Sequence, residues 1–159
     1  MVSLVVIVIM GLGMNLITFS LFGDNPLYCQ GAVENANIAR VIYPEWTARF
    51  YVAQDVPEKY IKEIEDYGAE VVRCEKKNSY DGLNWRFRPL NDPDVHYWIS
   101  RDADSRLSWR ERNAVDEWME SDKSAHLLRD CHNHGYTIMA GMFGINNKLF
   151  HERYGMIDL

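Results

Sequence analysis

Residues 16–46 have the sequence LITFSLFGDNPLYCQGAVENANIARVIYPEW. The first part, as far as Phe22, is a short apolar run of the kind that forms a buried strand. Gly23-Asp24-Asn25-Pro26 follows, a turn that supplies a helix cap and a proline for the first helical turn. Apolar residues then recur at helical spacing until Pro44. This stretch therefore predicts a strand joined directly to a helix.

The same alternation of elements continues along the chain. Further strands are predicted at residues 47–53, 69–74, 95–100 and 125–128, and further helices begin at Pro57 and Ser108. The second of these helices has the spacing of a capping box, with Ser108 at the cap and Glu111 three residues later. Strands that alternate with helices predict a parallel sheet with right-handed crossovers. We therefore expect one α/β domain, Rossmann-like, with a mostly parallel sheet flanked by helices.

The composition excludes several classes of protein. A chain of 159 residues that is 47% hydrophobic and 25% charged can bury a core, which excludes global disorder. Its 17 Lys and Arg against 23 Asp and Glu give a net charge of −6, without a basic block, so no nucleic-acid partner is expected. The three cysteines lack any CxxC pairing, which argues against zinc and disulfide frameworks.

The start of the chain is unusually apolar. Residues 2–22 contain only four polar side chains, and about 20 apolar residues suffice to cross a bilayer. A signal peptide or signal anchor is one interpretation, although no Lys or Arg precedes the run to orient such a segment. An N-terminal extension, or a natural start at Met14, are the other interpretations.

Two carboxylates one residue apart follow the strand predicted at residues 95–100. Ligands of open α/β sheets collect beyond the carboxyl ends of the strands, where Asp102 and Asp104 stand. Such a pair can converge on Mg²⁺ or Mn²⁺ and leave coordination positions for water and for the oxygens of a diphosphate. The spacing alone is equally compatible with a cap, in which Asp104 or Ser105 begins a helical turn.

Two arginines, one further aspartate and two histidines are the other candidates for the site. Arg86 and Arg101 have guanidinium groups suited to bidentate contact with phosphate or carboxylate, and ordinary surface ion pairs are the alternative for each. Asp130 follows the strand predicted at 125–128, and this place indicates a position near substrate. His132 and His134 lack a third histidine at zinc-motif spacing, so partly buried structural histidines are at least as good an interpretation.

Eight segments together resemble a glycosyltransferase-like family found in bacteria, algae and large viruses. They are FSLFGDNPLYCQGAVENANIARVIYPEW (19–46), RFYV (49–52), VPEKYI (56–61), NWRF (84–87), NDPDV (91–95), ISRDADSRLSWRERNAVDEW (99–118), HLLRD (126–130) and AGMFG (140–144). The segment around Asp102 is the most specific, because its flanking residues match as well as the two aspartates.

The resemblance implies a GT-A transferase fold and a set of site residues. Asp102 and Asp104 would be the carboxylates that hold Mn²⁺ or Mg²⁺ on a nucleotide-sugar diphosphate, with Asp104 as the more direct ligand. The remaining roles implied are nucleotide contact for Phe19, Ser20 and Leu21, donor contact for Arg86 and Asp102, and a catalytic role near the sugar or acceptor for Asp130. Arg101 is also expected to be catalytic, because its place directly before Asp102 lets it contact the diphosphate or orient one of the aspartates. Residues 140–144 would lie on the same side as Asp130.

We therefore expect a metal-dependent glycosyltransferase that moves a sugar from a nucleoside-diphosphate donor to a glycan, protein or lipid acceptor. A related nucleotidyl or phosphosugar transferase is one alternative. A truncated nucleotide-sugar-binding domain without turnover is another, because the chain ends at Leu159, earlier than such proteins do. Departures from the family pattern at Cys131, His132, Ala140 and Phe143 leave the acceptor open.

The resemblance also bears on the start of the chain. It assigns residues 16–21 to the first core strand, so we expect an apolar extension or leader at 1–14 and the catalytic domain at 15–159. About 14 residues are too few for an ordinary membrane span. A cytoplasmic protein, or a viral protein in the host cytoplasm, is expected, with a signal anchor at 2–22 as the alternative.

Overall fold

The computed structural model describes residues 13–78, 80–129 and 136–157. The strands are β1 (Met14–Leu21), β2 (Thr47–Ala53), β3 (Glu70–Cys74), β4 (Val95–Arg101), β5 (Ala125–Leu127) and β6 (Met142–Asn146). The helices are α1 (Pro26–Ile42), α2 (Glu58–Asp66), α3 (Asp81–Asn84), α4 (Trp109–Met119) and α5 (Asn147–Tyr154), and a 3-10 helix covers Trp85–Asn91.

The six strands form one mixed sheet in the order β3-β2-β1-β4-β6-β5. Strands β1, β2, β3 and β4 are parallel to one another, whereas β6 runs antiparallel to β4 and β5 runs antiparallel to β6. The expected mostly parallel, Rossmann-like α/β sheet flanked by helices is therefore confirmed. Only β6 runs against the direction of the other strands, and it lies between β4 and β5.

The local signals at the helix starts behave as the sequence predicts. Asn25 caps α1 by accepting the Leu27 N–H at 3.0 Å, and Pro26 occupies the first helical position. The capping box of α4 is complete, because the Ser108 hydroxyl accepts the Glu111 N–H at 3.3 Å and the Glu111 carboxylate accepts the Ser108 N–H at 3.0 Å. These caps fix where each helix leaves the sheet.

Neither strand β6 nor helix α5 is predicted from the sequence, which indicates only a glycine-containing turn at residues 140–144. The glycine inside β6 explains the miss, since glycine in a strand lowers its strand signal. At Gly144 a Cβ would lie 2.8 Å from Ile99 Cγ2 and 3.0 Å from the Trp118 ring. Close packing against β4 and α4 therefore requires glycine here, although local propensity disfavours it.

The main core lies between the sheet and helices α1, α2 and α4. Phe19 and Leu21 of β1 are fully buried in it, and the Phe19 ring stacks on Phe50 with centroids 4.5 Å apart. A second cluster on the opposite face joins Trp98 to the 3-10 helix and to β6. Burial of both faces explains why the parallel strands are nearly continuous apolar runs.

A helix needs about 20 mostly apolar residues to cross a bilayer. Within residues 13–78, 80–129 and 136–157, none of the helices meets that requirement. Residues 1–12, for which a leader or signal anchor is one expectation, lie outside the described part of the chain.

Candidate functional site

A cleft of about 470 Å³, here called the first cleft, opens at the carboxyl ends of β1 and β4. Ser20 and Phe22 reach it from the end of β1, and Arg86 reaches it from the 3-10 helix. Tyr28, Asp102 and Asp104 also line it. The sheet therefore gathers side chains that are up to 84 positions apart in the sequence. This edge is where ligands of open α/β sheets bind.

Arg86 is the buried cation of the first cleft. Its Nη1 donates to the Asp102 carboxylate and, at 3.2 Å, to the backbone carbonyl of Arg101. Polar groups of β1 hold the Arg86 backbone on both sides: its N–H donates to Ser20 Oγ at 3.2 Å, and its carbonyl accepts the Thr18 hydroxyl at 2.9 Å. The guanidinium therefore has a fixed position at the cleft wall, and ionised partners make its bond to Asp102 stronger than a neutral one.

Helix α1 holds the loop that carries the two aspartates. Asn35 is fully buried, and its amide donates to the carbonyls of Ala103 at 3.3 Å and Ser105 at 2.7 Å. Its side-chain oxygen accepts the Leu107 N–H at 3.1 Å. At Gly31, one turn earlier, a Cβ would lie only 2.1 Å from the Ala103 carbonyl oxygen, so the helix and loop need glycine to approach this closely.

The turn after β1 is held by an ion pair. The Asp55 carboxylate accepts the Gly23 N–H at 2.8 Å and contacts Lys76 Nζ at 2.9 Å. The Gly23 hydrogen bond, followed by the Lys76 contact, holds the pKa of Asp55 below its usual range despite partial burial. Lys76 also lies 5.2 Å from the centre of the Phe22 ring, which fixes this aromatic side chain at the cleft edge.

The donor atoms of the first cleft fit a hard divalent cation. Asp102 is half-exposed and Asp104 is exposed, and both supply carboxylate oxygens, the ligands that Mg²⁺ and Mn²⁺ prefer. Among the described residues, no group of three or more Asp, Glu, His or Cys side chains converges on one point. Two carboxylates are therefore compatible with a cation that takes its other ligands from water and a phosphate-containing substrate, as Mg²⁺ usually does.

A second cleft, of about 330 Å³, lies on the other side of Asp102, which lines both clefts. Arg101 belongs to this second cleft. Its Nε donates to Glu111 at 2.9 Å, and its Nη1 donates to the carbonyls of Ser100 at 2.8 Å and Phe143 at 3.3 Å. Arg110, from the first turn of α4, also lines the second cleft.

Gly141 packs directly against the Asp102 carboxylate. A Cβ at this position would lie 2.1 Å from Asp102 Oδ2. The neighbouring carbonyl of Ala140 accepts the Ser100 hydroxyl at 2.5 Å, which ties the segment before β6 to β4. The segment that leads into β6 therefore contributes to the site by packing behind Asp102.

The structure brings together four of the residues predicted for the site: Ser20, Arg86, Asp102 and Asp104 line the first cleft. Phe19 and Leu21 do not line it, because side chains alternate along a strand and theirs face the core on the side opposite to Ser20. Arg101 lies at the second cleft, and Asp130 falls outside the described residues.

Sequence reasoning missed three residues of the site: Phe22, Tyr28 and Asn35. Phe22 and Tyr28 line the first cleft, and the position of Phe22 at the end of a predicted strand is an available signal for it. Asn35 was the harder one to find. A polar residue among the inward-facing positions of a helix is a signal that it binds another segment, but the partner segment begins 68 positions later.

Comparisons with known proteins give structural likeness only. Neither the family models nor the curated proteins include a match to the sequence. A mannosyltransferase from Pyrobaculum calidifontis, solved in complex with GDP-Man and Mn²⁺, superposes with a TM-score of 0.56 at 13% identity. The match covers 89% of this chain and 47% of that one, so this chain spans about half the length of the mannosyltransferase.

Two further structures have the same arrangement. An active-site mutant of LgtC gives a TM-score of 0.51 at 13% identity, over 87% of this chain and 59% of that one. The 4-diphosphocytidyl-2C-methyl-D-erythritol synthase from Anaerococcus prevotii gives 0.50 at 13% identity, over 89% of this chain and 74% of that one. The mannosyltransferase and LgtC are GT-A glycosyltransferases, and the synthase is a related nucleotidyltransferase. The chain therefore has the Rossmann-like fold of the GT-A transferases.

Proposed function

We propose that this chain is a metal-dependent glycosyltransferase that takes a nucleoside-diphosphate sugar as donor. The observation that carries the proposal is the first cleft, where Asp102, Asp104 and the buried Arg86 meet at the carboxyl ends of β1 and β4. Two carboxylates and a fixed guanidinium suit a diphosphate that is bound together with a divalent cation. The GT-A fold supports the same class of donor.

Each residue of the first cleft has a role in this proposal. When bound, Mn²⁺ or Mg²⁺ supplies Lewis-acid stabilisation of the charge that develops on the leaving nucleoside diphosphate. Asp104 and Asp102 hold the cation, and Arg86 faces the diphosphate with a positive charge whose position Ser20 and Thr18 fix. Because these charges are positioned before the reaction begins, they need little reorganisation during it.

Phe22 and Tyr28 are proposed to contact the nucleotide base. Both are aromatic side chains at the edge of the first cleft: Phe22 directly follows β1, and Tyr28 lies in the first turn of α1. Aromatic rings can stack on any base, which fits a donor whose base remains unidentified. Of the three residues first expected to contact the nucleotide, only Ser20 keeps a place in this proposal, since Phe19 and Leu21 belong to the core.

The test compares wild type with Asp104→Ala in nucleotide-sugar binding and donor hydrolysis, each with Mn²⁺ and with EDTA. We expect Mn²⁺ to strengthen donor binding about tenfold or more in wild type, and Asp104→Ala to remove that gain. Asp66→Ala, which removes an exposed carboxylate at the end of α2, is the matched control. Equal affinities with and without Mn²⁺ in wild type would refute the metal-dependent function.

A nucleotidyltransferase is the second candidate. The observation that favours it is coverage: the chain spans 74% of the synthase against 47% of the mannosyltransferase. The products distinguish the two reactions. Release of a nucleoside diphosphate from the donor supports glycosyl transfer, whereas release of pyrophosphate from a nucleoside triphosphate supports nucleotidyl transfer.

A further inference from the structure

The second cleft is rich in positive charge, although the chain as a whole has a net charge of −6. Four arginines line it: Arg101, Arg106, Arg110 and Arg129. The two carboxylates that line it are already paired, Asp102 with Arg86 of the first cleft and Glu111 with Arg101. The cleft therefore has an excess of cationic groups over the carboxylates available to them.

Arg101 is a buried cation beside this cleft. The residue is only 3% exposed, and its Nε and Nη1 bind Glu111 and two backbone carbonyls. Its Nη2, in contrast, has no hydrogen-bond partner among the described residues. A buried donor without a partner costs free energy, and the cost of a charged group is larger, so the positive charge of Arg101 is only partly compensated by its surroundings.

Arg110 and Arg129 also have charges that no carboxylate of the described residues neutralises. Both are exposed, and within residues 13–78, 80–129 and 136–157 neither forms an ion pair. Arg106, by comparison, pairs with Glu34 at 2.5 Å. Because Arg110 stands in the first turn of α4, the positive end of the helix dipole adds to the potential of the cleft.

We propose that the second cleft binds an anionic group, a phosphate or a carboxylate, on the acceptor of the transfer reaction. The inference rests on the proposed function, because Asp102 separates this cleft from the one that would hold the donor. An acceptor held here lies beside the proposed donor site. The volume of about 330 Å³ is within the usual range for small-molecule sites, about 300–1,000 Å³.

The first experiment measures binding alone, by calorimetric titration of the full chain with inorganic phosphate in EDTA. EDTA removes any divalent cation through which phosphate could bind at the first cleft. The double variant Arg110→Gln with Arg129→Gln removes two exposed guanidinium groups of the second cleft, and Lys62→Gln removes an exposed charge on α2 as the matched control. We expect phosphate affinity to fall about tenfold or more in the double variant, because charge-assisted contacts are lost, and to stay unchanged in Lys62→Gln.

The second experiment identifies the acceptor group by competition with phosphate. Glucose 6-phosphate, methyl glucuronide and methyl glucoside have a phosphate, a carboxylate and no charge, respectively. We expect at least one of the two anionic sugars to displace phosphate and the neutral one to leave it bound. Displacement by glucose 6-phosphate alone assigns a phosphate site, and displacement by the glucuronide assigns a carboxylate site.

Two outcomes overturn the inference: no phosphate binding in wild type, or an equal loss in the double variant and in Lys62→Gln. Its failure differs from failure of the proposed function. If Mn²⁺-dependent donor binding holds while phosphate binding fails, only the anionic acceptor is wrong. If donor binding fails while phosphate binding depends on Arg110 and Arg129, the anion site stands and the transferase assignment falls.

Discussion

Asp102 is the residue that the two clefts share. Its carboxylate contacts Arg86 on the side of the first cleft and packs on the backbone of Gly141 on the other. The first contact fixes the charge environment of the carboxylate, and the second fixes its position. Substitution of Gly141, rather than of Asp102 itself, therefore tests the position of the Asp102 carboxylate separately from its charge.

Gly141→Ala is expected to impair the site and to leave the fold intact. The added Cβ would lie 2.1 Å from Asp102 Oδ2, so the flexible, half-exposed carboxylate must move away from its present place. We expect Mn²⁺-dependent donor turnover to fall about tenfold to a hundredfold, the effect that a misplacement near 1 Å can have. Donor hydrolysis and urea unfolding measure the two effects separately.

Gly144→Ala is the contrasting variant. Its Cβ would meet Ile99 and the Trp118 ring in the packed core rather than a movable carboxylate. Overpacking of this kind costs about 1–3 kcal/mol of stability. If Gly141→Ala destabilised the protein as much as Gly144→Ala does, or left turnover unchanged, the proposed role of Gly141 in positioning Asp102 would be wrong.

At the scale of elements, α1 supports the site through Asn35, a residue that lines neither cleft. That side chain makes three hydrogen bonds to the loop at residues 103–107, and it is fully buried. The loop leaves β4 and enters α4 within eight residues, and Ala103 and Leu107 anchor it in the core beside α1. Helix α1 therefore determines the conformation in which Asp104 reaches the first cleft.

Asn35→Ala is expected to destabilise the protein and weaken donor binding together. Removal of the amide leaves the Ser105 carbonyl and the Leu107 N–H without a partner, while the Ala103 carbonyl keeps only its bond from Arg106, and this costs about 2–4 kcal/mol. Urea unfolding measures the loss of stability, and titration with the donor in Mn²⁺ measures the affinity. Asn37→Ala, an exposed asparagine of the same helix, is the matched control and should change neither by much. Normal donor affinity in a folded Asn35→Ala protein would contradict the role of α1.

At the scale of the whole molecule, the sheet edge formed by β5 contains a half-buried titratable group, His126. His126 stacks on Trp118 of α4 with ring centroids 5.4 Å apart, and its Nε2 has no hydrogen-bond partner among the described residues. Burial, followed by the positive charge of Arg101, lowers the pKa of His126 from 6.5 to about 4. Packing of β5 against α4 thus favours the neutral form of the His126 imidazole.

We expect stability to fall as the pH is lowered from 6.5 towards 4. In this range the unfolded chain binds a proton at His126 that the folded chain does not, so the contribution is complete above pH 6.5 and is lost as the pH falls to about 4. The size is at most about 3 kcal/mol. The free energy of urea unfolding, measured at intervals between pH 4.5 and pH 7.5, checks the slope.

The variant His126→Phe keeps an aromatic ring against Trp118 and removes the titration. Its unfolding free energy should vary less with pH between 5 and 6.5 than that of wild type. His96→Gln, which removes an exposed histidine, is the control and should keep the wild-type slope. An identical slope in His126→Phe would show that other groups produce the pH dependence.

The sequence by itself determined the parallel half of the fold and the pair of aspartates. Strand and helix bounds there follow from local causes: the Asn25 cap, the capping box at Ser108 and the continuous apolar strands. The position of Asp102 and Asp104 after β4 follows from the same local pattern, since every parallel strand delivers its next residues to one edge of the sheet.

Only the tertiary structure decided which cleft each side chain enters and what holds it there. Arg86 and Arg101 look alike as single arginines in the sequence, yet one faces the first cleft and the other lines the second. The contacts from Asn35 to the loop and from Gly141 to Asp102 join segments 39 to 72 positions apart. Such contacts depend on how the elements pack, and packing leaves no periodic signal in the segments that it joins.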